Sequence, residues 1–203
     1  MTLTIEETMT VLRQGSSALA NLHGRKPPIL HRDIKPANML IQSRDPLQIK
    51  LTDFGISGAR EDLKTFCRTP LYLAPEVYKK KTVYTSAIDI WSLGVVGFEL
   101  AYDLPSPDGY EDSEWCEFLV DQVNYWDNDG LIGLLSHTMI VMDPKSRRSA
   151  RYYYEEASRL LVAPQERSLT PTPQSYAKYN TTDPYQHPFG PDHSASLFHS
   201  PDS

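Results

Sequence analysis

The sequence predicts a mainly α-helical fold with a small β-hairpin region, an α+β class, on three observations. Apolar residues recur at helical spacing over residues 5–22. Apolar and polar residues then alternate over 47–51 with the period of two that is typical of a strand. Helical patterns return after residue 86 and continue to about residue 162.

The first predicted helix begins after Thr4 and ends at Gly24. Thr4 followed by Glu7 is a capping-box pattern, in which each residue satisfies the backbone of the other. Gly24 and the prolines at 27–28 end the helix. Its apolar face comprises Ile5, Met9, Leu12, Leu19 and Leu22.

Two polar loops are expected to lie side by side at strand ends. Short strands are predicted at 29–30 and 39–41, on either side of the loop 31–38. The third strand, 47–51, leads into 53–55. Because the turn between the last two strands is short, the two loops are brought together.

The second half is predicted to be helical after a long loop. Residues 56–82 have no clear period, and a loop of that length in a compact domain is usually functional. Ser86 is expected to cap a helix that runs to about Tyr102 and is apolar nearly all round, hence buried. Later helical patterns cover Trp115–Asn124, Leu131–Met142 and Ser149–Leu161.

Composition divides the chain and excludes some partners. We expect a folded lobe over 1–162 and a disordered Pro/Ser/Thr-rich tail over 163–203. The formal net charge of -6 argues against nucleic acid or an anionic membrane as a partner. The two cysteines fit a reducing compartment, and the first residues lack a secretory signal, so a cytoplasmic or nuclear location is expected.

Five short motifs follow one another in one order. A lone His-Arg-Asp is more simply a surface turn with an ion pair, but five motifs at these spacings are a specific signal. They are H-R-D-x-K-x-x-N at 31–38, D-F-G at 53–55, A-P-E at 74–76, D-x-W-S-x-G at 89–94 and D-P-x-x-R at 143–147. Over about residues 1–162 the chain resembles the large, C-terminal lobe of eukaryotic-type serine/threonine protein kinases.

The chemistry of these residues agrees with that resemblance. Phosphoryl transfer depends on positioning and charge neutralisation. Asp33 can orient a substrate hydroxyl and accept its proton, and Lys35 can place a cation on the transferring phosphate. Asn38 and Asp53 offer an amide and a carboxylate oxygen, which are ligands that suit Mg2+.

The resemblance implies further roles near the site. It implies ATP and Mg2+ as cofactors and a protein as substrate. Leu40 matches the residue beneath the adenine ring. Lys35 and Thr69 match the serine/threonine branch, in which the threonine hydrogen-bonds the base and the lysine.

The resemblance also implies a regulatory site and structural pairs. Thr65 occupies the position of an activating phosphothreonine, which an upstream kinase would modify and which would pair with Arg32. Three residues match structural positions of the family. They are Glu76 and Arg147, which form a buried salt bridge, and Asp89, which holds the catalytic-loop backbone.

Two departures leave alternatives open. The 203 residues contain no glycine-rich loop or strand lysine before the catalytic loop, so the small lobe that holds ATP is absent from them. Arg68 stands where the family usually has glycine. It would alter the substrate pocket or the path of the activation loop or, near Thr65, help to bind a phosphate. The chain is thus expected to be a kinase catalytic-domain fragment or, alternatively, an inactive lobe that acts as a docking or regulatory module.

Overall fold

A computed structural model describes residues 2–53, 70–79, 83–126 and 130–162. This part of the chain is mostly helical with one two-stranded antiparallel sheet, which confirms the predicted fold class. The predicted tail, 163–203, lies outside the described residues. The helices are α1 (Ile5–His23), α2 (Ala87–Tyr102), α3 (Asp112–Tyr125), α4 (Gly130–Leu134) and α5 (Ala150–Val162), and the strands are β1 (Met39–Arg44) and β2 (Leu47–Leu51).

Helix α1 begins with the predicted capping box. The Glu7 amide donates to Thr4 Oγ1 over 3.1 Å, and the Thr4 amide donates to the Glu7 carboxylate over 2.9 Å. The backbone N–H of Gly24 caps the last turn by donating to the carbonyl of Ala20. The two hydrogen bonds of the capping box thus satisfy two backbone N–H groups that the start of a helix otherwise leaves unpaired.

The hairpin places the two polar loops side by side. Met39 at the start of β1 pairs with Leu51 at the end of β2. The predicted strand at Ile29–Leu30 is wrong, because the Ile29 amide donates to the carbonyl of Leu22 over 3.1 Å. The segment therefore folds back onto the end of α1 and joins no sheet.

Helix α2 is the buried axis of the lobe, as its apolar sequence predicts. Leu93, Val95 and Val96 are fully buried. A Cβ at Gly97 would lie 2.9 Å from a Leu12 methyl, so a larger residue there would require the Leu12 side chain to move.

The start of α2 differs from the prediction in one detail. Ser86 precedes the helix, but its side chain makes no capping hydrogen bond. The Ala87 amide instead donates to Thr85 Oγ1 over 3.3 Å. The capping hydroxyl thus lies one residue earlier than the pattern suggests.

The structure corrects in part the long loop predicted at 56–82 and the helix predicted at Leu131–Met142. Within 56–82, the described residues form single 3-10 turns at Pro70–Tyr72 and Pro75–Tyr78. Helix α4 changes into a π-helical turn at Leu135–Met139, because the Ile140 amide donates to the carbonyl of Leu135 over 2.8 Å. Among the described residues, no helix combines the length and the apolar character needed to cross a membrane.

Candidate active site

The Asp33 carboxylate is held through one of its two oxygens. Its Oδ2 lies 2.8 Å from Lys35 Nζ. The same oxygen accepts a 2.8 Å hydrogen bond from Asn38 Nδ2, which also donates to the Asp33 carbonyl over 2.7 Å. In the described part of the chain, these contacts of Lys35 and Asn38 therefore meet at Oδ2.

Asn38 owes its position to the turn that precedes β1. A single 3-10 turn begins at Pro36 and ends at Asn38. The fixed φ of proline suits the first position of such a turn. The Asn38 amide N–H donates to the Lys35 carbonyl over 3.0 Å. The side chain is buried, so its direction toward Asp33 is fixed by packing as well as by hydrogen bonds.

Asp53 lies two residues after the end of β2, and the residue before it contacts this turn. The Thr52 amide donates to the Asn38 carbonyl over 2.9 Å, which ties the strand end to the start of β1. Asp53 then adopts a φ of 66°, in the left-handed region that few non-glycine residues occupy. Such backbone strain is commonly found at functional sites.

A buried carboxylate supports the catalytic loop from α2. Asp89, 1% exposed, accepts the amide N–H of His31 over 2.9 Å and that of Arg32 over 2.8 Å. Arg32 has a φ of 67°, the second left-handed residue beside the site. His23 Nε2, at the end of α1, lies 2.8 Å from the same carboxylate.

His31 connects the two loops of the site. Its side chain is fully buried, and its Nε2 lies 3.0 Å from the Thr52 carbonyl. Since a carbonyl only accepts, this nitrogen carries the proton. The loop that bears Asp33 is therefore joined to the residue just before Asp53.

A buried ion pair joins the 3-10 turn at 75–78 to Arg147. Arg147 donates from Nη1 and Nη2 to the two carboxylate oxygens of Glu76, over 2.7 and 3.0 Å. The guanidinium also donates to the carbonyls of Val141 and Ala87 and lies 5.0 Å from the Trp91 ring centroid. Because its donors are well satisfied, this pair fixes the 3-10 turn at 75–78 against the helical core.

A buried tyrosine just before this turn pairs with a partly buried glutamate on α2. Tyr72 Oη donates to the Glu99 carboxylate over 2.7 Å. Burial raises the pKa of Glu99 above its ordinary value, while the hydrogen bond from Tyr72 acts in the opposite direction. Burial, then the neighbouring carboxylate, also raises the pKa of Tyr72 well above its ordinary range.

The donor set beside Asp33 fits a magnesium ion. The Asn38 amide nitrogen is committed to Asp33, which leaves the amide oxygen for a hard cation. Asp53 would add a carboxylate oxygen. Two protein ligands suit Mg2+, which commonly keeps waters and binds substrate phosphates. The described residues hold no group of three His, Cys, Asp or Glu side chains arranged for a metal.

Of the remaining predicted residues near the site, Leu40 lies in the described part of the chain and the others lie outside it. Leu40 lies on β1 and is 56% exposed, so it presents an apolar surface at the hairpin. Thr65, Arg68 and Thr69 lie outside the described residues, as do Phe54 and Gly55 of the D-F-G motif.

Sequence reasoning missed two residues that support the site. His23 reaches Asp89, and Gln14 reaches the backbone of β2. A histidine in the last turn of a helix is a recognised signal for a helix-end interaction. No comparable signal marks Gln14.

Comparison with known proteins decides the family. Residues 1–156 match the family model described as the protein kinase domain. The chain belongs to the protein kinase family.

Three relatives of this kinase chain carry the name serine/threonine-protein kinase. Serine/threonine-protein kinase ppk11 of Schizosaccharomyces pombe is 47% identical over 103 residues, which is 49% of this chain and 31% of that protein. The probable serine/threonine-protein kinase MARK-C of Dictyostelium discoideum is 36% identical over 151 residues, which is 70% of this chain and 18% of that protein. Ovarian-specific serine/threonine-protein kinase Lok of Drosophila melanogaster is 37% identical over 144 residues, which is 65% of this chain and 30% of that protein. The kinase chain thus spans less than a third of each of these relatives.

Proposed function

We propose that this chain is the catalytic part of a serine/threonine protein kinase that transfers phosphate from ATP to protein hydroxyls. One observation carries the proposal. Lys35 and Asn38 both bind the same oxygen of Asp33, beside the strand end that bears Asp53. A general base, a cation and two hard oxygen ligands are thereby collected in one place.

Asp33 is proposed to act as the base. With Oδ2 bound to Lys35 and Asn38, Oδ1 faces the serine or threonine hydroxyl, orients it and accepts its proton. Lys35 reduces the negative charge on the carboxylate and stands ready to contact the phosphate that is transferred. The substrate hydroxyl and the phosphate therefore meet between the two side chains.

Asn38 and Asp53 are proposed to hold the metal. When bound, Mg2+ neutralises the charge on the phosphates of ATP. Asn38 has a second task, because the amide that offers its oxygen also donates to Asp33. The metal side and the base side of the site are thus positioned by one side chain.

Other parts of the proposal rest on the family resemblance, on the exposure of one side chain and on composition. Leu40 is proposed to lie beneath adenine, which its exposure supports. Thr69 is proposed to hydrogen-bond Asp33 and Lys35. Thr65, phosphorylated by an upstream kinase, is proposed to pair with Arg32, and a cytoplasmic or nuclear location is proposed from composition.

The acceptor specificity provides the test. The protein is assayed at the length at which the cell makes it, so that any residues outside these 203 that hold ATP are present. Four peptides differ only in one residue, Ser, Thr, Tyr or Ala, and the product site is mapped by mass spectrometry. We expect Mg2+-dependent phosphorylation of the Ser and Thr peptides alone.

The alternative, a docking or regulatory module, predicts a different result. No peptide would be phosphorylated at any Mg2+ or ATP concentration, while the chain would bind a partner kinase or its substrate saturably. That pair of results would overturn the proposal of catalysis. Phosphorylation of the Tyr peptide would overturn the acceptor class.

A further inference from the structure

A glutamine side chain occupies the outer edge of β2. Gln14 Nε2 donates to the Leu47 carbonyl over 2.8 Å, and its Oε1 accepts the Ile49 amide N–H over 2.8 Å. One edge of β2 pairs with β1, and Gln14 binds the other. The two hydrogen bonds replace those that a third strand would supply.

These bonds fix β2 on helix α1. In the described part of the chain the sheet has only two strands, and a two-stranded hairpin is marginally stable by itself. Because the Gln14 amide spans the backbone from residue 47 to residue 49, it sets both the distance of β2 from α1 and its position along the helix. Sliding of the strand would break both hydrogen bonds.

Helix α1 thus holds both halves of the site. At its end, His23 contacts Asp89, which binds the backbone next to Asp33. Nine residues earlier, about 13 Å along the helix axis, Gln14 holds the strand that leads to Asp53. One helix therefore contacts a support of the base side and a support of the metal side, in addition to the hydrogen bonds that join the two sides directly.

We propose that Gln14 is a positioning residue for the metal side of the site. By holding β2 on α1, Gln14 keeps Asp53 beside Asn38, in the arrangement that lets both bind one cation. The inference rests on the proposed function, which assigns the metal to these two residues.

The test compares matched variants of the full chain. Gln14→Leu removes both hydrogen bonds, and Gln14→Glu keeps the acceptor for the Ile49 amide but loses the donor. Gln48→Leu, the same change at an exposed position of β2, is the control. Thermal unfolding of each variant shows that it is folded.

The first readout is hydrogen exchange at single amides. In Gln14→Leu, we expect the Ile49 amide to exchange about tenfold faster, because it loses its acceptor. The amides of His31 and Arg32, which Asp89 binds, should keep their rates. A general loss of stability would instead accelerate all three.

The second readout is metal binding without catalysis. Mn2+ is titrated into the labelled chain, and the paramagnetic broadening of the Asn38 and Asp53 amide signals gives the half-saturating concentration. We expect this concentration to rise about tenfold in Gln14→Leu, less in Gln14→Glu, and not at all in Gln48→Leu. If Gln14→Leu does not fold, the half-saturating Mn2+ concentrations of Gln14→Glu and Gln48→Leu are compared instead, and equal values would overturn the positioning role of Gln14.

Asp53→Asn separates the two ways in which the inference can fail. If Asp53→Asn leaves the broadening unchanged, the proposed metal role is wrong and the inference is wrong with it. If Asp53→Asn abolishes the broadening but both Gln14 variants titrate like Gln48→Leu, the metal role stands and only the positioning role of Gln14 is overturned.

Discussion

Asn38 donates its side-chain amide to the Asp33 carboxylate over 2.8 Å, from a buried position at the start of β1. The metal-ligand candidate and the base candidate are therefore in direct contact. A change at Asn38 should disturb both functions together.

Replacing Asn38 with leucine tests this coupling. We expect kcat for peptide phosphorylation to fall about ten- to hundredfold and the half-maximal Mg2+ concentration to rise, because Asn38→Leu loses both the donor and the ligand oxygen. Steady-state rates over a Mg2+ titration provide the measurement. Asn124→Leu, at an exposed position of α3, is the control. A change in kcat with no change in the Mg2+ dependence would contradict a ligand role for Asn38.

The ion pair between Glu76 and Arg147 is predicted to be costly to break on one side. Arg147→Met leaves the buried Glu76 charge uncompensated, and the free energy of unfolding should fall by about 3–5 kcal/mol. The double variant Glu76→Leu/Arg147→Met should be more stable than Arg147→Met alone. Urea unfolding gives each value.

An exposed pair on α5 supplies the matched control. Arg151 and Glu155 lie 3.0 Å apart with side chains that are 81% and 60% exposed. Arg151→Met should change the free energy of unfolding by no more than about 1 kcal/mol. Equal costs for Arg147→Met and Arg151→Met would show that burial of the first pair has no energetic consequence.

The pair formed by Tyr72 and Glu99 predicts a pH dependence of stability. Since burial raises the pKa of Glu99 in the folded state, the folded protein binds the proton more tightly than the unfolded chain. The contribution of Glu99 is therefore most favourable below the unfolded pKa, near 4.5, and is lost as pH rises through the folded value. Glu99→Gln, which keeps an acceptor for Tyr72, should remove this dependence.

The measurement is thermal unfolding from pH 4 to pH 8. Relative to the parent chain, Glu99→Gln should gain stability as pH rises and lose that gain toward pH 4. Glu117→Gln, an exposed change on α3, should show no such trend. A difference between Glu99→Gln and the parent that is constant over the range would refute the assigned cause.

Local patterns in the sequence predicted much of this lobe. The capping box at Thr4 and the alternation over residues 47–51 each specify a structure within a few residues, and both appear where expected. The prediction at Ile29–Leu30 was wrong because two apolar residues have no period. Instead, the Ile29 amide donates a hydrogen bond to the Leu22 carbonyl, which directs this segment along the end of α1.

Two supports of the site, Gln14 and His23, could not be predicted in this way. Gln14 binds Leu47 across 33 residues of sequence, and His23 binds Asp89 across 66. Such contacts arise from how α1 packs on the hairpin and on α2, which no local pattern encodes. The motif residues could be proposed from the sequence because each lies in a short motif with a fixed order of residue types.

The central claim is that Asp33 is the base of a phosphoryl-transfer site, and single-turnover transfer of labelled phosphate to a serine peptide tests it most directly. The protein is compared with Asp33→Asn and with Asp45→Asn, an exposed change in the hairpin turn. We predict a rate at least about a hundredfold lower for Asp33→Asn and an unchanged rate for Asp45→Asn. Transfer by Asp33→Asn at the rate of the parent protein would contradict the claim.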